Sequence, residues 1–138
     1  MNRNKQIDRV YLNIAKDMSK LSYAKRKKVG AIAVKNKQII GESYNGTPSG
    51  WDNVCELANN TTKPEVLHAE SNLITKLAKT TISSDGATVY VTLSPCFECA
   101  KLLYQAGIKR VIYDEEYRDT SGIDFLKKCN IEIKQLKI

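Results

Sequence analysis

A lone imidazole, a carboxylate beside it and a close pair of thiols are the residues of this chain best suited to chemistry. His68 is the single histidine among 138 residues, and it opens the run "HAESNLI", with Glu70 two places on. Further along, "YVTLSPCFECA" carries two of the four cysteines, Cys96 and Cys99, three apart behind Pro95. Ser94 suits a helix N-cap and Pro95 a first helical position, which predicts a helix opening there. Cys96 and Cys99 would then share one face of its first turn. The positive end of the helix dipole and its free N–H groups favour thiolates at that place. Two thiolates so spaced make half a zinc site, and a redox dithiol is the chief rival.

The other half needs a nitrogen or oxygen donor, and His68 is the only imidazole on offer. On a regular helix residues 68 and 70 would point about 200° apart, since each residue turns about 100°. They can face one site only if His68 stands where the chain is still entering its helix, and Pro64 and Glu65 just upstream fit such a start. Structural zinc takes four protein ligands, whereas catalytic zinc takes three and keeps a position for water. His68, Cys96 and Cys99 with Glu70 close by make the open kind, because a fourth ligand could come only from Cys55 or Cys129. Zinc in an open site brings the pKa of its water toward about 7. Glu70 could then move protons between that water and a substrate. Glu98, inside the cysteine motif, reads as a solvated first-turn acid complementing the dipole.

The elements that must hold these groups are legible from periodicity. Residues 4–18 read as an amphipathic helix with Ile7, Val10, Tyr11, Ile14, Ala15 and Met18 on its apolar stripe. "VGAIAV" and "QIIGESY", split by "KNK", predict an antiparallel hairpin. A helix through "AESNLITKLAKT", a strand "ATVYVTL", a helix from "PCFECAKLLYQAG" closed by Gly107, and a strand "KRVIYD" follow. A short helix near "SGIDFLKKC" and a strand "IEIKQL" complete the chain. A right-handed crossover makes "ATVYVTL" and "KRVIYD" parallel neighbours. The expected fold is a single domain over residues 1–138: a three-layer α/β/α sandwich with a mixed sheet of about five strands. The Gly-, Pro- and Asn-rich stretch from Asn45 to Pro64 is a long connection, of a length that is usually functional or mobile. Cys129 reads as a small buried apolar residue.

The joint pattern His68-Ala69-Glu70 and Pro95-Cys96-Phe97-Glu98-Cys99 is the signature of zinc nucleobase deaminases. With "VGAIAV", "SYNGTPSGWDNVCE", "TKPEVLHAE", "GATVYVTLSPCFECAK" and "AGIKRVIYDEEY", the chain resembles the deoxycytidylate (dCMP) deaminases of the cytidine/deoxycytidylate deaminase superfamily. The resemblance implies a cytidine-deaminase-like α/β/α fold, a homo-oligomer that is usually a hexamer, and zinc-dependent hydrolytic deamination of dCMP to dUMP and ammonia. It implies His68, Cys96 and Cys99 as zinc ligands and Glu70 as the catalytic proton shuttle. It further implies the Ala69 N–H and Asn45 on the nucleoside, and Arg26 and Tyr117 on the 5′-phosphate. Asn45 and Gly46 fall in the block tied to regulation by dCTP (activator) and dTTP (inhibitor), with magnesium on the triphosphate. That block is usually Gly-Tyr-Asn-Gly, and here it is Ser43-Tyr44-Asn45-Gly46. One histidine cannot supply the second, structural zinc of some relatives, so one zinc per subunit is expected.

Charge and composition narrow the alternatives. A net charge of +7, densest at Lys25-Arg26-Lys27-Lys28, suits an anionic small substrate, nucleic acid, or solubility alone. With 42% hydrophobic and 27% charged residues the chain has the balance of an ordinary globule. No apolar run reaches the roughly 18 residues of a membrane span, and "MNRNKQIDRV" lacks the apolar core of a signal peptide. A cytoplasmic protein is expected, in the host's cytoplasm if viral, with no membrane partner and no obligatory nucleic acid. The rivals are a tRNA adenosine deaminase, a deaminase of free cytidine and a non-catalytic zinc module. The tRNA enzymes usually follow the second cysteine with Ala-Gly-Ala, whereas Ala100-Lys101-Leu102 stand here. A non-catalytic site has no need of the spare carboxylate of Glu70.

Overall fold

Two apolar, β-branched segments separated by Asn36 and Lys37 start the sheet. Both turn residues adopt positive φ, 51° and 63°, the backbone that a two-residue hairpin turn requires. In the computed structural model, which describes residues 2–138, they join β1 (Gly30–Lys35) and β2 (Gln38–Tyr44) in an antiparallel pair. The remaining strands are β3 (Thr88–Leu93), β4 (Arg110–Glu115) and β5 (Glu132–Gln135). The order across the sheet is β2-β1-β3-β4-β5. β1 pairs antiparallel with β3, while β3–β4 and β4–β5 are parallel, as the strand–helix–strand pattern predicts.

Burial on both faces explains the near-continuous apolar runs of β1, β3 and β4. On one face α1 (Arg3–Ser19) sets Leu12 and Ala15 against Ile32, Tyr90 and Ile112. On the other, α2 (Ala69–Ala78), α3 (Phe97–Gln105) and α4 (Ser121–Lys128) cover Ala31, Ala33, Val89, Val91 and Val111. The architecture is the expected three-layer α/β/α sandwich with five strands.

The stripe of α1 keeps Tyr11, Ile14, Ala15 and Met18 on the core side, as predicted, but not its first two residues. Ile7 and Val10 are exposed, and the buried line runs Asp8, Leu12, Ala15, Ser19. A polar residue joined the buried side because it has partners there. Tyr90 Oη donates to Asp8 Oδ1 at 2.7 Å, and the Arg110 guanidinium binds both carboxylate oxygens. Paired in this way, Asp8 escapes the full cost of burying a lone charge. Among the described residues no helix is long and apolar enough to cross a membrane.

The connection from Asn45 to Pro64 holds no helix or named strand but is stapled by backbone pairs. Gly46 bridges Leu67, Glu56 bridges Thr62, and Lys63 N donates to Cys55 O at 2.8 Å. Cys55 is only 1% exposed, so the connection buries it. Cys129 departs from its expected burial: it is half-buried and caps the C-terminus of α4.

Candidate active site

Two helix N-termini deliver the chemistry to one end of the sheet. His68 is the N-cap of α2 with extended backbone (φ −69°, ψ 157°), so its side chain leaves before the helical spiral begins. That geometry lets residues 68 and 70 serve the same cavity. Cys96 is the N-cap of α3, and its Sγ accepts from Cys99 N at 3.5 Å. The expected N-cap, Ser94, stands two residues earlier in the connection from β3. Its hydroxyl instead accepts from Tyr117 N at 2.7 Å, so it ties the metal-side turn to the loop after β4. Gly122 in α4 packs against the backbone of Pro95 and Cys96, where a Cβ would sit 2.8 Å from the Cys96 carbonyl oxygen.

His68 Nδ1 lies 3.5 Å from Cys96 Sγ and 3.3 Å from Cys99 Sγ, and the three donor atoms all fall within 4.8 Å of one another. A tetrahedral zinc with ordinary Zn–N and Zn–S bonds would hold such atoms roughly 3.6 Å apart, so the donors fit that ion. Among the described residues no other histidine, cysteine or acid joins the cluster. Cys55 and Cys129 are placed elsewhere and carry free thiols. The set is therefore three soft or borderline donors, the number a catalytic zinc takes.

Glu70, one helical residue further in, is 4% exposed, and burial pushes its carboxyl up to about 7. The imidazole of His68 opposes that rise without cancelling it. A carboxyl titrating near neutrality can both take and give a proton. The hydrogen bond from Cys99 pulls the Cys96 thiol down to about 4, and the same contact drives Cys99 upward. Contact with Cys96 raises His68. Glu98 is exposed in the first turn of α3 and pairs with Lys101 at 2.9 Å, the solvated role expected of it.

A cleft of about 480 Å³ opens over this cluster and is lined by His68, Ala69, Glu70 and Cys96 at its floor. That volume suits a small organic ligand. Of the other predicted residues, Arg26, Asn45 and Tyr117 line its walls. Ala69 is the first residue of α2, so its N–H has no intrahelical partner and opens on the cleft. Asn45 already works for the fold: its Oδ1 accepts from Val29 N at 2.9 Å and its Nδ2 donates to Lys27 O at 2.8 Å. A second amide hydrogen and a second lone pair remain for a ligand. Gly46 is not among the lining residues, and a Cβ there would meet no atom within 4 Å.

Among the wall residues that escaped the sequence reading are Glu56, Glu115 and Arg118. Arg118 had a signal, standing next to Tyr117 and stacking its guanidinium 5.9 Å from that ring. Glu115 pairs with Lys27 and so takes one member of the basic run out of play. Glu56 had no signal, because its approach to the site depends on how residues 45–67 fold back.

A family model, the cytidine and deoxycytidylate deaminase zinc-binding region, matches residues 5–115. The chain is similar to a crystal structure of dCMP deaminase from the cyanophage S-TIM5 in complex with dCMP and dUMP, with a TM-score of 0.93 and 45% identity over 99% of each chain. Deoxycytidylate deaminase of Enterobacteria phage T4 is 34% identical over 149 aligned positions, covering 77% of this chain and 77% of that protein. The human deoxycytidylate deaminase is 42% identical over 101 positions, 67% of this chain and 56% of its own length. A tRNA:A34 deaminase shares the fold at 20% identity and a TM-score of 0.62. With its three donor atoms, its buried carboxyl and these relatives all in agreement, the chain belongs to the cytidine and deoxycytidylate deaminase family.

Proposed function

We propose that the protein is a zinc-dependent dCMP deaminase, which hydrolyses the 4-amino group of dCMP to give dUMP, for thymidylate synthesis, and ammonia. The observation that carries this reading is Glu70, a nearly buried carboxyl held beside a three-donor cluster at the floor of a cleft with arginine on its wall. Bound by His68 Nδ1, Cys96 Sγ and Cys99 Sγ, zinc would supply Lewis acidity and bring water to reactivity at neutral pH.

The chain's own groups do the rest. Glu70 takes one proton from the attacking water and passes it to N3 of the cytosine ring. It then takes the second from the C4 hydroxyl so formed and passes it to the amine, which departs as ammonia. The place of Glu70 beside the donor cluster at the floor of the cleft suits that exchange. The Ala69 N–H donates to the base carbonyl, and the spare donor and acceptor of Asn45 meet the sugar or base. Arg26 and Tyr117 hold the 5′-phosphate, for which a planar guanidinium is well shaped. The similar cyanophage enzyme is described with dCMP and dUMP, which favours this substrate class.

Regulation by dCTP as activator and dTTP as inhibitor, with magnesium on the triphosphate, belongs to the same reading, at Asn45 and Gly46. The open space where a Gly46 Cβ would point supports a bound group or a neighbouring subunit there. A homo-oligomer, a hexamer in the cytoplasm by family likeness, completes it.

Assay of dUMP and ammonia from dCMP tests the reading, with deoxycytidine and a tRNA anticodon stem in parallel. Glu70→Gln should keep zinc, measured by metal analysis, while kcat falls by about 10³-fold or more. Turnover of the RNA alone, or retained activity in Glu70→Gln, would reject it. Addition of dCTP or dTTP should shift the dCMP saturation curve in opposite directions.

A further inference from the structure

We propose that Glu56 is the positioning residue that sets Arg26 for the substrate's phosphate, and with it the preference for a nucleotide over a nucleoside. This rests on the phosphate role of Arg26 given above. Residues 22–29, which carry Arg26, form no helix or strand. Such a segment holds a side chain in one place only if its backbone is fastened from outside.

Two fasteners are present. Asn45 ties down Lys27 and Val29 at the downstream end. Upstream, Glu56 Oε2 accepts from Lys25 N at 2.9 Å and from Arg26 N at 3.4 Å. Two successive N–H groups converging on one carboxylate oxygen make a charge-assisted clamp. Glu56 is 9% exposed, its backbone bridges Thr62, and the buried Cys55 stands beside it.

The charge of Glu56 is spent on the backbone and not on the guanidinium. Among the described residues Arg26 makes no ion pair, although it shares the cleft wall with Glu56. Lys27, by contrast, is engaged by Glu115. The clamp therefore places Arg26 at the wall while leaving its cation free for an external anion. A salt bridge from the same carboxylate would have held the side chain and cancelled it.

Glu56→Gln keeps the shape and an acceptor but removes the charge that strengthens the clamp, and Glu56→Ala removes the clamp. In Glu56→Gln, KM for dCMP should rise about tenfold, the size of one charge-assisted hydrogen bond, with kcat within about twofold. Deoxycytidine kcat/KM should stay unchanged, and Glu56→Gln should add little in an Arg26→Ala background. Amide exchange at Lys25 and Arg26 should speed up in Glu56→Gln with exchange across the sheet unaltered. Equal losses on dCMP and deoxycytidine, full additivity with Arg26→Ala, unchanged exchange at residues 25 and 26, or loss of the fold in Glu56→Gln would each overturn the proposal. A different failure strikes the Arg26 reading instead: Arg26→Ala leaves the dCMP preference intact while the exchange of residues 25 and 26 still responds to Glu56→Gln.

Discussion

At the scale of single residues, the site places an ionisable group where folding disfavours its charge. Burial raises Glu70 to about 7, above its ordinary value of 4.5, so the folded chain binds the proton more tightly than the unfolded one. The stabilisation this gives is complete below pH 4.5 and is lost as pH rises toward 7. In metal-free protein at pH 8, Glu70→Gln should therefore be more stable than wild type, by on the order of 3 kcal/mol. At pH 5 most of that difference should vanish, and urea melts at the two pH values would read it. A second residue-scale prediction concerns Asn45, whose amide is bonded at both ends to the loop at Lys27 and Val29. Asn45→Ala should lower stability by about 2 kcal/mol with no ligand present. An unchanged melting curve would show that Asn45 serves the ligand alone. That His68, Cys96 and Cys99 would gather as candidate donors was legible in the sequence because few residue types can hold a metal, and Glu70 was legible by its place beside His68. The double duty of Asn45 was not, since its partners lie 16 and 18 residues away.

At the scale of elements, the site depends on where helices begin. The sequence pointed to helices opening near residues 68 and 96, and both do, but one cap moved. Ser94 was the better N-cap by type, yet Cys96 holds that position and Ser94 binds the loop at Tyr117 instead. Capping preference is worth about 1 kcal/mol, less than the packing that fixes a buried turn. Part of that packing comes from α4, whose Gly122 lies against Pro95 and Cys96 too closely for any side chain. Gly122→Ala should push α4 off the cysteine turn, cost about 2 kcal/mol, and speed zinc loss to a chelator. A variant that melts and holds zinc like wild type would mean the turn is supported from elsewhere. The α1 stripe was right at Tyr11, Ile14, Ala15 and Met18 but missed Asp8: helical periodicity marks apolar positions, and it could not foresee Arg110 and Tyr90 arriving from other strands to satisfy that carboxylate.

At the scale of the whole molecule, the charge of +7 is uneven in its consequences. Lys27 is neutralised locally by Glu115, whereas Arg26 and Arg118 line the cleft without an ion pair among the described residues. An anionic substrate should feel that field and a neutral one should not. Raising salt from about 0.05 to 0.5 M should increase KM for dCMP several-fold and leave KM for deoxycytidine nearly constant, because screening shortens the reach of exposed charges. Equal salt effects on both would place the phosphate away from these arginines.

Taken alone, the sequence determined the strand and helix order, the three candidate metal donors and the acid beside them. Each follows from local periodicity or from the few residue types a metal accepts. Only the tertiary structure decided that Glu56 binds the backbone of Lys25 and Arg26, that Ser94 and Gly122 meet the loop and the cysteine turn, and that Cys55 and Asp8 are buried. These roles rest on contacts between residues far apart along the chain, and such contacts exist only once the sheet and its two helical layers have closed around them.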